Sequence, residues 1–280
     1  MIPINLMTKS KKIDLVNTGI WTKKAMAEAK KVGTVNVVAS SEETTFNCIP
    51  DLDYSTFSKD ADYFYICSNN TIFGTKYDTL PDTGTVPLVS DMSSCILSEP
   101  VAVNRFGLIF AGAQKNMGPA GMTAVIVRKD LVEKGPENLM TMMQYRTHSA
   151  ERSMFNTPPA YSIYMAGLVF KWLKNLGGLS AMKAINENKA NLLYDYLDQS
   201  AMFNAPVKDK RYRSLMNVSF VSGNEQIDKK FVKEAEDAGF INLKGHRLVG
   251  GMRASIYNAM PTEGVKKLVD FMMKFEKENK

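Results

Sequence analysis

The sequence predicts an α/β fold. A large domain, residues 1–177, is built on a mostly parallel sheet, and a smaller α+β domain, residues 178–280, follows it. Three observations carry this expectation. Short apolar runs of strand length alternate with helical segments through the first half. Gly177-Gly178 closes a long helical stretch, and a different pattern begins after it. Three apolar runs end in polar clusters: Asn69-Asn70-Thr71, Asp91-Met92-Ser93-Ser94 and Gln114-Lys115. In parallel sheets, ligands bind outside the carboxyl ends of the strands. Polar residues also follow strands wherever a loop begins, so the coincidence favours a site without defining one.

Taken in order, Ile13–Asn17 reads as a strand closed by Thr18-Gly19. Trp21–Lys31 is rich in good helix formers, with Ala25, Met26 and Ala29 on one side. Val35–Ala39 and Asp62–Cys67 are short apolar strands, and the second runs into the polar turn Ser68–Gly74. Asp78–Thr85 reads as loop, and Val86–Ser90 as the strand that ends at Asp91. Gly107–Ala111 and Met122–Val127 flank a glycine-rich turn that holds Lys115. Tyr145–Pro159 reads as a loop, because Pro158 and Pro159 disfavour regular hydrogen bonding.

A long helix is expected from Ala160 to Leu176, and a second over Leu179–Gln199, with Met182, Ile185, Leu192, Leu193 and Tyr196 as its apolar positions. Leu215–Val221 alternates like a half-buried strand, and Lys229–Ala238 is helical. Phe240–Leu243 and Met252–Tyr257 read as short strands. Thr262–Lys277 closes the chain as a helix with Val265, Leu268, Met272 and Phe275 as its apolar stripe and Thr262 as its N-cap.

Bulk properties narrow the function classes. The chain of 280 residues can bury a substantial core. No apolar run approaches the ~20 residues of a membrane helix. The short apolar start followed by lysines is the reverse of a secretory signal. Cys48, Cys67 and Cys95 are odd in number and lack CxxC spacing, which argues against a disulfide framework, offers no metal site and points to a cytoplasmic setting. The net charge of +6 suits small anions or nucleic acid. The lysines are scattered, without a basic run or interleaved aromatics, which counts against nucleic acid.

A lysine between glycines at the end of a buried strand costs free energy unless it has a task or a partner. Desolvation lowers the pKa of such an amine and frees it as a nucleophile. A pyridoxal phosphate enzyme needs that lysine, and it needs a carboxylate to keep the pyridine nitrogen protonated. Lys115 and Asp91 have the required types, and Ser93, Thr71, Gln114, Asn156 and Thr157 offer groups for a phosphate.

Four runs carry a closer likeness: Asp91-Met92-Ser93-Ser94, AGAQKNMGPAG over 111–121, SMFNTPP over 153–159 and KGHRLVGGMRASIYNAMP over 244–261. Together, and in this order, they resemble the phosphoserine aminotransferase family of the class V aminotransferases, with the fold-type I pyridoxal phosphate architecture. The resemblance implies that Lys115 bonds the cofactor and then shuttles the substrate proton. It implies that Asp91 partners the pyridine nitrogen, that Trp21 stacks on the ring, and that Thr71, Ser93 and Gln114 contact the cofactor. Asn156 and Thr157 are implied to reach the cofactor phosphate of a neighbouring subunit, hence a homodimer with shared sites. Arg253 is implied to take the substrate α-carboxylate, with His246 and Arg247 near its anionic far end.

The reaction so implied is transamination between glutamate and 3-phosphohydroxypyruvate, giving O-phosphoserine and 2-oxoglutarate in serine biosynthesis. The family carries a further N-terminal region before the segment matching Ile2–Leu6, with a glycine-rich turn at the cofactor phosphate. The expectation is therefore an aminotransferase chain lacking that region. A competing reading is a chain that folds or dimerises without holding cofactor stably. Cys95 stands where the family often has an acidic residue.

Overall fold

The computed structural model describes residues 1–247 and 249–279. In chain order, the strands are β1 (Lys12–Asn17), β2 (Thr34–Ser40), β3 (Tyr63–Cys67), β4 (Asn69–Asn70), β5 (Thr75–Lys76), β6 (Leu88–Asp91), β7 (Leu108–Gly112), β8 (Thr123–Val127), β9 (Asn217–Phe220) and β10 (Met252–Ser255). The helices are α1 (Ile2–Leu6), α2 (Ile20–Ala29), α3 (Lys129–Glu133), α4 (Tyr145–Ala150), α5 (Ala160–Asn175), α6 (Gly178–Gln199), α7 (Glu225–Asp237) and α8 (Thr262–Glu278).

Six strands form one sheet in the order β2-β1-β3-β6-β7-β8. All neighbours pair in parallel except β7 with β8, which is antiparallel. The central strands are covered on both faces, which is why they read as continuous apolar runs, while the edge strands β2 and β8 stay partly exposed. Ile13, Leu15, Tyr63, Tyr65, Val89 and Leu108 pack on one side with Ala25, Met26 and Ala29 of α2 and Leu6 of α1. Val16, Phe64, Ile66, Leu88 and Ile109 face the other side, against Met92, Ile96, Phe106 and Met117.

The C-terminal residues build a separate apolar cluster. α6, α7 and α8 contribute Leu193, Leu197, Phe231, Leu268, Met272 and Phe275, packed against Val218 and Phe220 of β9 and Ala254 of β10. The expected stripe of α8 is buried at all four of its positions. α6 buries two polar residues as well, Asn186 and Lys189. Lys189 Nζ donates to the carbonyls of Ile256, Tyr257 and Met260 at 3.1, 2.8 and 3.0 Å.

Several sequence expectations are corrected. Phe240–Leu243 is no strand: Gly239 and Asn242 both take positive φ, and the segment turns instead of extending. The first part of the expected 145–159 loop is α4, because the prolines that oppose regular structure lie well beyond Ala150. Thr262 is the first helical residue of α8, and Pro261 occupies the cap with no side-chain hydrogen bond. Helix α7 begins earlier than expected, where Asn224 Oδ1 accepts from the backbone N–H groups of Gln226 and Ile227.

Phe231 is fully buried at the centre of the C-terminal cluster, with ring centroids of Phe203, Phe275 and Phe271 at 5.0, 5.1 and 5.6 Å. Phe231→Ala should cost about 3–5 kcal/mol of folding free energy, measured by urea denaturation. A loss below about 1 kcal/mol would show that this cluster is not the core of the C-terminal part.

Candidate active site

Parallel pairing brings four strand ends to one edge of the sheet. The spatial order β1-β3-β6-β7 sets the segments carrying Trp21, Thr71, Asp91 and Lys115 side by side. Asp91 is itself the last residue of β6 and pairs with Phe110 of β7.

Each side chain is placed by local bonds. After β1, the Thr22 hydroxyl accepts from the N–H groups of Thr18 and Gly19, and α2 starts with Trp21 in its first turn. After β3, β4 and β5 make a small hairpin whose tip carries Thr71. Asn70 Oδ1 accepts from the Thr18 hydroxyl, which ties this hairpin to the end of β1. Its neighbour Asn69 donates to Ser94 Oγ at 2.8 Å and to Asn217 Oδ1 at 3.0 Å. After β7, the Ala113 carbonyl accepts from both Met117 and Gly118, closing a tight turn around Lys115.

Within this frame Lys115 Nζ donates to Thr71 Oγ1 at 3.0 Å and stands 5.8 Å from the centroid of the Trp21 ring. Burial lowers the pKa of the amine, partly opposed by the charge of Asp91, while nearby Arg253 lowers it further. Burial also raises the Asp91 carboxyl, opposed by hydrogen bonding from Ser93 and by the Lys115 charge. Asp91 Oδ1 accepts from the Ser93 N–H at 2.8 Å. Ser93 Oγ in turn accepts from the Gly112 N–H, so this serine ties the Asp91 turn to the end of β7.

The fifth member arrives from the C-terminal part. Arg253 on β10 donates from Nη1 to the Thr71 carbonyl at 3.3 Å. Its Nε is buried with no hydrogen-bond partner among the described residues. Next to it, Lys244 pairs with Met252 and the Gly245 N–H donates to the Gly251 carbonyl, a narrow turn bearing His246 and Arg247, in which Val249 packs against the cluster of Phe46, Ile72 and Phe73. A Cβ on Gly245 would lie 2.0 Å from the Gly250 carbonyl, so only glycine fits there. Leu248, within the matching run, lies outside the described residues.

Trp21, Thr71, Asp91, Ser93, Lys115 and Arg253 thus converge. Gln114 is exposed and its amide folds over Gly112. Asn156 and Thr157 are exposed, and among the described residues no hydrogen bond joins them to this cluster. Sequence reasoning placed Asn69 and Asn70 in a strand-end cluster without giving them a role, and it missed Asn217 and Tyr257; all four pin the edge from behind. The signal present was the run Asn69-Asn70 directly after a strand, and Asn258 within the matched C-terminal run.

The residues fit pyridoxal phosphate. A desolvated amine, a carboxylate whose burial a cationic ring nitrogen would offset, and an indole face stand at one edge. The unpaired Arg253 Nε suits a carboxylate acceptor beside that group.

The Lys115 charge is disfavoured in the folded state, so below its lowered folded pKa the cofactor-free protein carries the desolvation cost in full. That cost disappears as pH rises from the lowered folded pKa to the ordinary lysine value of about 10.4. Lys115→Met should therefore melt at a higher temperature relative to wild type at pH 7 than at pH 10, by differential scanning calorimetry without cofactor. A gap that stays constant across this range would contradict the desolvation.

Residues 1–268 match the model of the aminotransferase class-V family. The chain is 52% identical over 280 residues to the phosphoserine aminotransferase of Bacillus cereus, covering all of this chain and 78% of that protein. It is 52% identical over 279 residues to that of Acidithiobacillus ferrooxidans, covering 77% of it. Its fold superposes on the phosphoserine aminotransferase of Bacillus circulans subsp. alkalophilus with a TM-score of 0.96 at 45% identity, covering 100% of this chain and 77% of the other. The pyridoxal phosphate-bound phosphoserine aminotransferase of Trichomonas vaginalis gives a TM-score of 0.89 at 40% identity, covering 97% and 78%. The converging lysine and carboxylate, the mostly parallel sheet and these matches agree: the chain belongs to the aminotransferase class-V family, in its phosphoserine aminotransferase branch.

Proposed function

We propose that this chain is a pyridoxal phosphate-dependent aminotransferase that moves the amino group of glutamate to 3-phosphohydroxypyruvate, giving O-phosphoserine and 2-oxoglutarate. The observation that carries the proposal is the meeting of the desolvated Lys115 amine, the Asp91 carboxylate and the Arg253 guanidinium at one sheet edge. When bound, pyridoxal phosphate supplies an electron sink for the carbon that loses its proton.

The chain's own residues do the rest. Lys115 Nζ would hold the cofactor until the substrate amine displaces it, and the freed amine, its pKa lowered by burial, would then take the proton from the substrate α-carbon. The Thr71 hydroxyl orients that amine. Asp91 holds the ring nitrogen in its cationic form, since pairing with a positive charge offsets the burial of the carboxylate. Trp21 would hold one face of the ring, with Ser93 and Gln114 as further contacts. Arg253 takes the α-carboxylate through its planar fork. His246 and Arg247, on the narrow turn, take the anionic far end, which is a phosphate in one substrate and a carboxylate in the other.

In this reading, residues 1–177 are the cofactor-binding domain and 178–280 the smaller domain, whose last residue, Lys280, lies outside the described residues. Asn156 and Thr157 act in the site of a second copy, making the working unit a homodimer. Support comes from α5, directly after that loop, which leaves Tyr161, Tyr164 and Phe170 exposed. No helix among the described residues is long and apolar enough to cross a membrane. We place the protein in the cytoplasm and in serine biosynthesis.

Borohydride treatment of the protein mixed with pyridoxal phosphate should leave a pyridoxyl label on Lys115, mapped by peptide mass. Absence of a label would sink the cofactor assignment. Lys115→Ala should lower kcat by about 10²–10⁴-fold or more. Arg253→Lys should raise KM for both substrates about 10- to 100-fold, since the two-point contact with a charged group is lost. Normal KM values in that variant would remove Arg253 from the carboxylate role.

A further inference from the structure

We propose that Asn116 and Asn258 are positioning residues that set the placement of the Lys115 amine relative to Arg253; this rests on the roles given to those two groups above. Three successive carbonyls in the turn that follows Asp91 each accept from a buried asparagine of a different element. Asn116 Nδ2 donates to Ile96 O at 3.0 Å, Asn258 Nδ2 to Leu97 O at 2.9 Å, and Asn186 Nδ2 to Ser98 O at 3.0 Å. The asparagines also bond one another. The Asn258 backbone N–H donates to Asn116 Oδ1 at 3.1 Å, and Asn186 Nδ2 donates to Asn258 Oδ1 at 2.9 Å. Among their amide atoms, Asn186 Oδ1 alone is recorded without a partner.

What these residues join gives the arrangement its meaning. Asn116 follows Lys115 directly. Asn258 lies in the segment that leaves β10, the strand of Arg253. The accepting carbonyls belong to the turn that leaves Asp91. Leu97 holds a left-handed backbone, with φ of 64°, a conformation costly for a leucine unless its surroundings enforce it. Asn258 Nδ2 bonds the carbonyl of that same residue. All three asparagines are nearly or fully out of solvent. Apolar side chains would fill the same space. Bonded amides add direction, because a buried polar network holds its bonds in one arrangement.

The two anchors are separable. Lys189 Nζ independently holds the carbonyls of Ile256, Tyr257 and Met260, so the Arg253 segment keeps a fastening when Asn116 is removed. Loss of Asn116 therefore loosens the Lys115 side of the pair. A displacement of order 1 Å of a reacting group costs about 10²-fold in rate.

The test uses the cofactor-loaded protein and Asn116→Ala, with Asn116→Ser measured by the same criteria should the alanine variant fail to fold. Phe231→Leu serves as a control for destabilisation at a remote core site. We expect kcat to fall about 10²-fold and KM for glutamate to stay within about twofold of wild type. Phe231→Leu should leave both constants unchanged. In the cofactor-free variant, amide exchange by NMR should be faster at Asn258, whose N–H bonds Asn116. Wild-type kcat in a folded Asn116 variant, an equal fall in kcat for Phe231→Leu, or unchanged exchange at Asn258 would each overturn the proposal. A borohydride label on Lys115 of the wild type combined with any of these would leave the functional reading standing and reject only the positioning role.

Discussion

Parallel pairing of β1, β3, β6 and β7 forces the carboxyl ends of four adjacent strands to one edge of the sheet. The remaining features of the site depend on this constraint. A residue that follows any of these strands emerges beside a residue that follows its neighbour, whatever their separation in sequence. Lys115 and Thr71 meet at hydrogen-bond distance although β6 and a long loop lie between them in the chain. The apolar runs on both faces supply the stability. Residues at or just beyond the ends of these runs supply the chemistry.

The electrostatics follow from the same placement. The edge is deep enough to desolvate an amine and a carboxylate together, and their mutual attraction only partly compensates. Each is left with its charge disfavoured. Arg253 adds a further positive charge next to the amine, from a strand that belongs to another sheet. An anionic ligand with a cationic ring atom answers all of these at once.

Much of this was legible in the sequence. The central strands of the large sheet appear where apolar runs predict them, because a strand buried on both faces needs nothing but such a run. Lys115 and Asp91 stood out through glycine-rich and strand-end contexts, and their adjacency needed only the rule for parallel sheets. The contribution of Arg253 was not legible from pattern alone; it depended on resemblance, since its distance from Thr71 along the chain leaves no local trace. The buried asparagines were missed for a related reason. Asn116, Asn186 and Asn258 look like ordinary polar residues in a string of letters, and only the pairing of each amide with a remote carbonyl distinguishes them. The misread strand at 240–243 shows the converse, an apolar run bent by the left-handed Asn242.

The seam between the sheet edge and the C-terminal strands has a consequence for the order of assembly. Asn69 bonds Asn217 and Ser214, Ser219 bonds the Ile72 carbonyl, and Asn258 bonds Asn116 and Leu97. Each of these contacts closes a loop of well over a hundred residues, the class of contact that forms last. A ribosome-bound chain that has completed its sheet still lacks every one of them. Until those segments emerge, Asn69, the Ile72 carbonyl, Asn116 and the Leu97 carbonyl lack these partners. The approach of Arg253 to the Thr71 carbonyl belongs to this same late class, so the substrate side of the site is completed after the sheet edge that carries Lys115 and Asp91.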